Sequence, residues 1–420
     1  MCRTEPDERP EPSELRLPAR GLLSAGAAAS SALLLLIAAT GLLLATRYVP
    51  QVDTAYQSAT SMPGWLGYLR GFHFWGSNIA LLTVALTVFG MLWYGWWRHT
   101  RALWLLMLCL LSATFLALVS GRVLPLARHD AHTMVVEAKT AGLTPLAGDT
   151  LRDWLLTNDR VDGRALQNWY STHRVIGGLL VPVLALAVLL ALYRNGLRIS
   201  ALPTAAPVIV GLIVAFVGAP PGEAAQLQDL NGGPVAPMWY VLPLHALLRW
   251  SLSISPELGW VGASAVPLAL FALLFSLPWL ARLRWSLVAA RGLALAGSLV
   301  VVAAYAQFGA MMQSPFTRDM PKAVTDAEMP QEPLDAALVV RGTKVFGRQN
   351  CRSCHSLGGE GARGPGPALD GVGEQHRRRR QLMQFLRDPA SQGATLMPSY
   401  DSLSEEDLAA LAEFLRAQRR

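Results

Sequence analysis

The chain has 420 residues, of which 52% are hydrophobic and only 15% charged, a balance that excludes an ordinary soluble enzyme and points to a polytopic membrane protein. The net charge of +7 is no argument for a nucleic-acid partner, because membrane proteins collect arginine on their cytoplasmic loops in any case. Two of the four cysteines, Cys351 and Cys354, stand together while Cys2 and Cys109 are isolated, so no disulfide framework is implied.

The segment 1–24 is charged and proline-rich, with apolar sequence starting only near Gly21, and reads as a cytoplasmic arm rather than a cleavable leader. Crossing a bilayer core takes about 20 apolar residues at about 1.5 Å each. Stretches of that kind at 25–46, 74–97, 102–121, 174–193, 201–219, 259–280 and 286–306 predict seven spans. The connections WWRHTR, YRNGLR and ARLRW after the second, fourth and sixth spans are basic, which places them and the N-terminus in the cytoplasm and the C-terminal region on the outer side. The 122–172 stretch reads as a long extramembrane loop with helical pattern. MWYVLPLHALL at 238–248 is too short to span, and both segments would cap the outer face. The expected fold is all-α, divided into a four-helix domain at 25–196, a three-helix part at 197–308, a linker at 309–334 and a small soluble helical domain at 335–420.

In the last domain Cys351-Arg352-Ser353-Cys354-His355 is a C-x-x-C-H motif. Two thiols one turn apart add to haem vinyl groups, and the adjacent histidine is aimed at the iron. A zinc half-site is the competing use, but it wants a second ligand pair that this domain lacks. Met397, followed by Pro398, offers a thioether as sixth ligand. The segments VVRGTKVFGRQNCRSCHSLGGEGARGPGPALDGVG and TLMPSYDSLSEEDLAALAEFLRAQ resemble the small class I cytochrome c family over 335–420. The resemblance implies one covalent haem c, His355 and Met397 as axial ligands, a Pro367 carbonyl orienting the imidazole, and attachment outside the cytoplasm. The run Arg377–Arg380 is either a solvated face or a patch that steers an acidic partner.

In the membrane part, His73 and His173 fall at the outer ends of the second and fourth spans, where they suit bis-imidazole ligation of a haem b, although single histidines at such ends commonly just bond backbone or water. The stretches TGLLLATRYVPQVDTAYQS, LRGFHFWGSNIALL, SGRVLPLARHDAHTMVV, GLTPLAGDTLRDWLL and WYSTHRVIGGLLVPVL resemble the cytochrome b subunit of quinol-oxidising cytochrome bc complexes. PMWYVLPLHALLR and the last three spans resemble the subunit IV half, the likeness running from about Gly21 to Phe308. The resemblance implies two histidines per ligand helix about fourteen residues, or roughly 21 Å, apart, and glycines where a haem face meets the first and third spans.

The chain departs from that pattern. Gly41 and Gly121 are present at the outer level, but the inner level holds Ala27, Thr87, Met107, Ala187 and Val188, so one outer-side haem b is expected. Arg70 matches a family arginine that pairs a haem propionate. The family's Pro-Glu-Trp-Tyr motif, whose carboxylate takes a quinol proton, stands here as Pro237-Met238-Trp239-Tyr240, and methionine accepts no proton. Met238, Tyr240 and His245 mark this altered quinol-site region, with His129, His132 or His245 as substitute proton acceptors or as ordinary surface histidines.

The expected function is a membrane electron-transfer subunit of a quinol:cytochrome c oxidoreductase-like complex. Electrons would pass at the outer face through one haem b to the chain's own haem c, without a full Q cycle. The alternative is a redox-inactive anchor for the cytochrome c domain. The resemblance further implies lipid, a Rieske-type iron-sulfur subunit, a soluble cytochrome or terminal oxidase and a dimer or larger complex as partners. The expected location is a bacterial inner membrane, with the c domain in the periplasm.

Overall fold

A computed structural model describes residues 16–157, 159–197, 199–220, 222–225, 230, 237–283, 286–313, 334–349, 351–358, 360–361, 368–375, 379–392, 394 and 397–418. The described chain is almost wholly helical, with one two-stranded antiparallel ribbon, β1 (Ser356–Leu357) and β2 (Glu360–Gly361). Pro367, Arg377, Arg378, the N-terminal arm before residue 16 and most of the expected linker lie outside the described residues.

Among the described residues five helices are long and apolar enough to cross a membrane: Gly21–Ala45 within α1 (Arg16–Ala45), α3 (Gly64–Trp93), α4 (Arg101–Arg122), the continuous Gly163–Arg194 and Ser286–Phe308 within α12 (Ser286–Gln313). The seven expected crossings therefore appear as these five and two shorter apolar helices, Ala201–Val217 and Val261–Ser276. The fifth stops where Gly218 takes φ +75° just ahead of Pro220, and the sixth stops before Pro278, which cannot continue a helix. α12 is helical as far as Gln313, the last described residue before 334, and so runs past the expected end of the span.

Helices α1, α3, α4 and the Gly163–Arg194 rod, formed by α7 (Gly163–Val175), a wide turn at Ile176–Leu180 and α8 (Val181–Arg194), close a four-helix ring. α1 packs tightly because its inward face is small, with Ala25, Ala27 and Ala29 fully buried. Ser30 and Ser31 satisfy their hydroxyls on carbonyls one turn back. Outward-facing Leu82, Leu86, Leu179, Leu186, Leu299 and Val302 are exposed, an arrangement stable against lipid rather than water. α9 (Ala201–Val214) lies against α1 and α3, and α12 against α3.

The basic connections gather at one end of the ring, where Arg291 donates to the Trp93 carbonyl at 3.1 Å. The other end is capped by α2 (Ala55–Thr60), α5 (Arg128–Gly142), α6 (Gly148–Leu155) and the first turns of α7 around a second apolar core that includes Leu126, Met134, Val135, Leu166 and Trp169. Tyr48 ties this cap down, its hydroxyl donating to the Leu124 carbonyl at 2.7 Å. The 238–248 segment forms α10 (Leu242–Ile254), about 20 Å of helix, too short to span. It packs on the 261–265 turn that leads into α11 (Val266–Ser276), and on α12.

In the C-terminal domain α13 (Ala336–Arg348) crosses α16 (Glu405–Arg416) so closely at Gly342 that a β-carbon there would strike the Ala410 carbonyl. Phe346 and Phe414 stack beside it with ring centres 4.9 Å apart. Asp335 and Ser404 cap the two helices through their side chains. α14 (Val372–Gln375) and α15 (Arg379–Arg387) complete the domain against α16.

Candidate haem sites and the altered 237–245 turn

Near the capped end of the four-helix ring a cavity of about 610 Å³ is lined by Gly41 of α1, Arg70 and His73 of α3, Gly121 of α4, and His173, Gly177 and Gly178 of the fourth rod. That volume lies within the range of about 300–1,000 Å³ of cofactor pockets. All the residues that the sequence assigns to the outer haem level therefore meet at one place. The histidines are not at the helix ends, as their position in the apolar runs suggests. α3 begins at Gly64 and α7 at Gly163, so each imidazole sits more than two turns inside its helix. The extra turns mix buried residues such as Leu66, Ala165, Leu166 and Trp169 with exposed ones such as Trp65, Arg164 and Gln167, which is why hydropathy alone misses them.

The two rings approach edge to face, with centroids 6.2 Å apart and planes at 76°. A metal–imidazole bond is about 2 Å and each ring centre lies about 1 Å behind its nitrogen, so two rings on one iron would have centroids about 6 Å apart. The two sites are built alike. His73 Nδ1 donates to the Ile37 carbonyl at 3.0 Å with Thr40 Oγ1 at 3.2 Å. His173 Nδ1 donates to the Ala117 carbonyl at 3.0 Å with Ser120 Oγ at 3.4 Å. A carbonyl can only accept, so the proton is on Nδ1 and Nε2 keeps its lone pair for a metal.

Carbonyl, hydroxyl and glycine thus occupy positions i, i+3 and i+4 on both α1 and α4. A β-carbon on Gly41 would stand 2.9 Å from His73 Cε1, and one on Gly121 would stand 2.7 Å from His173 Nδ1. The glycines make room first for the imidazoles themselves. The wide turn directly after His173 adds Gly177 and Gly178 to the wall, as such turns often do at functional sites. Arg70 also lines the cavity, with Nη1 3.5 Å from the Ala219 carbonyl. The residues present fit a bis-imidazole haem.

One helical level below, Ala27, Met107 and Val188 are fully buried and Thr87 nearly so. Ala27, Met107 and Val188 belong to one continuous core with Val84, Val88, Met91 and Leu110. Gly26 on α1 is pressed against the Thr87 hydroxyl. That level is packed by side chains.

In the C-terminal domain Cys351, Cys354 and His355 share one turn, the Cys354 and His355 amides both donating to the Cys351 carbonyl at 3.2 and 3.0 Å. Both cysteines are thiols rather than a disulfide, and both are half-buried. Met397 and Cys351 pack on the same core as Leu357, Leu386 and Tyr400. This donor set, two thiols, an imidazole and a thioether, fits a covalent haem. The Tyr400 hydroxyl bonds the Cys351 thiol, a contact not evident from the sequence.

The 237–240 turn leans on the haem-cavity wall. Tyr240 places its hydroxyl 3.4 Å from the Leu118 carbonyl and its ring edge-on to Phe115. Trp239 Nε1 donates to Asn78 Oδ1 at 2.7 Å. His245 is nearly buried and forms an ion pair with Glu137 of α5, Nε2 to Oε1 2.9 Å, a partner that sequence reasoning did not find. Burial lowers the His245 pKa, but Glu137 more than offsets it and the net shift is upward. His129 and His132 lie on the first turns of α5. His129 is pushed down to about 4 by burial and by Arg122 and His132. Beside them Asp130 is buried in an ion pair with Arg122 and accepts from the Ala127 amide at 3.0 Å.

Residues 22–196 match the family model described as cytochrome b/b6/petB, and residues 339–419 match that described as cytochrome c. Cytochrome b of Chondrus crispus is 26% identical, the match covering 57% of this chain and 69% of that protein. Cytochrome b of Zea mays is 27% identical over 57% of this chain and 68% of that protein. A chain of a hyperthermophilic respiratory complex III superposes with a TM-score of 0.51 at 19% identity, covering 69% of this chain and 90% of that one, a likeness of fold.

Proposed function

We propose that this chain, a cytochrome b/b6 domain joined to a cytochrome c domain, is an electron-transfer subunit of a bc-type respiratory complex that carries electrons from quinol, through one haem b, to its own covalent haem c. The matches to haem b and haem c family models and the five long apolar helices among the described residues support a multi-pass haem protein. The observation that carries the finer reading is the pairing of His73 and His173 at 6.2 Å over a ligand-sized cavity, above a level filled by Ala27, Thr87, Met107 and Val188.

When bound, haem supplies an iron that takes and gives one electron at a time. The protein's part is to hold and orient it. Ile37 and Ala117 fix the tautomer of each histidine, Thr40 and Ser120 flank the same nitrogens, and Gly41 and Gly121 let the rings stand close to their helices. The capping core excludes water from one side, and Arg70 offers a cation for a propionate. With no second ligand pair beneath, electrons have no route through this subunit to the opposite face, so a bifurcating quinol cycle is not available to it alone.

On this reading the capped end faces the periplasm of a bacterial inner membrane, the segment before residue 334 tethers the c domain near its donor, and an iron-sulfur subunit and a soluble cytochrome or terminal oxidase complete the pathway. Pyridine haemochrome analysis of the purified full chain tests it. One b per one c is expected. Two b would overturn the single-haem assignment, and none would reduce the membrane body to an anchor.

A further inference from the structure

Glu137 and His245 come from α5 and α10, more than a hundred residues apart, and each side chain is only 15% exposed. A buried ion pair is weak as a stabiliser, since apolar residues of like volume usually serve as well. Its presence therefore asks for a use.

Its position suggests one. α10 continues directly from the 237–240 turn, and the Tyr240 phenol, whose pKa burial raises and Arg122 opposes, also feels the Glu137 charge. Tyr240 in turn stands on Leu118, next to the Ala117 carbonyl that holds His173. Glu137 is thus the ion-pair partner of His245 and its charge also reaches Tyr240, which stands against Leu118 of the cavity wall. This is also where a quinol-oxidising site would need a base and where Met238 supplies none.

We propose that the Glu137–His245 pair is the proton acceptor for a quinol at this face, an inference that rests on the quinol-oxidising reading above. The Glu137 carboxylate, 2.9 Å from Nε2, stabilises the imidazolium that forms when His245 takes up a proton. In the step the quinol O–H bond breaks, its proton passes to His245, and its electron reduces a ferric iron, of haem b or of an iron-sulfur partner, to ferrous. A second such transfer, after the pair has released its proton to the aqueous side, leaves quinone. The charges that reach His245 are Glu137 from α5 and Arg249 from its own helix; the elements packed against α10 also carry Glu257 in the 256–258 turn and Tyr305 of α12, whose hydroxyl donates to the Trp239 carbonyl next to Tyr240.

The test is stopped-flow reduction of haem b in the purified, haem-loaded full chain by a short-chain quinol, with haem spectra and dithionite reduction as independent checks of integrity. E137Q and H245Q should each slow quinol-driven reduction by about a hundredfold near neutral pH while dithionite still reduces both haems. In the wild type the rate should fall as pH drops through one protonation lying above 6.5, the ordinary histidine value, and H245Q should lose that limb. Wild-type rates in both variants would overturn the pair's role and leave quinol oxidation standing. A wild-type chain that no quinol reduces would overturn both. Should the variants lose their haems, the wild-type profile decides, and a rate flat from about pH 5 to about pH 8 removes the proposal.

Discussion

Replacing Gly121 by alanine is the sharpest perturbation of the membrane site. A β-carbon there would strike His173 Cε1 and stand 2.7 Å from Nδ1 and 3.1 Å from Nε2, so the ring must retreat by at least the roughly 0.7 Å that brings Nδ1 out to an ordinary 3.4 Å. That would stretch the 3.0 Å bond from Nδ1 to the Ala117 carbonyl beyond hydrogen-bonding range. Losing that bond costs about 1 kcal/mol and the overpacking about 1–3 kcal/mol, or on the order of 30- to 1,000-fold in haem b retention. Gly41 is milder, with 2.9 Å to His73 Cε1 and 3.5 Å to Nδ1. Gly177 is the internal control, because its β-carbon would meet His173 Cε1 at 3.4 Å, an ordinary contact. Haem b content per haem c, with a redox titration of what remains, should decline in the order wild type, Gly177→Ala, Gly41→Ala, Gly121→Ala. Full haem b at an unchanged potential in Gly121→Ala would show that the imidazole does not need this space, and would refute the packing argument for both glycines.

Three further outcomes are expected. Gly342→Ala drives a β-carbon into the Ala410 carbonyl, and overpacking of about 1–3 kcal/mol should lower the melting temperature of the c domain by roughly 5–20 °C, measured by calorimetry. Met397→Ala removes the thioether while leaving both thiols and His355, so haem c should stay covalently attached on a denaturing gel but titrate at a lower potential. His129, with its pKa lowered to about 4, favours the folded cap when neutral. Its contribution is present above about 6.5 and lost as pH falls from there through about 4. Thermal stability followed by haem b release should therefore decline over that interval, and His129→Asn should flatten the decline.

The C-x-x-C-H motif, the apolar runs and the basic connections were legible because each is a local property: a turn's worth of ligands, a length of hydrocarbon, a cluster of charge. The absence of a second histidine pair was legible in the same way, by spacing along two helices. The two shortened spans were less so, since helix ends at Gly218 and before Pro278 trim a hydropathy window without changing its mean. Thr40-Gly41 and Ser120-Gly121 repeat a hydroxyl before a glycine, a signal present in the sequence whose meaning appears only when both pairs are seen behind an imidazole.

By itself, then, the sequence determined an all-helical membrane protein with a cytochrome c-like domain carrying a C-x-x-C-H motif and one candidate ligand pair, because short motifs and burial in lipid depend on neighbours in the chain. Tertiary structure alone decided that the rings of His73 and His173 stand 6.2 Å apart, that Ile37 and Ala117 set their tautomers, and that Glu137 of α5 meets His245 of α10. Those facts depend on helix register and on where distant segments cross, and neither composition nor periodicity carries that information.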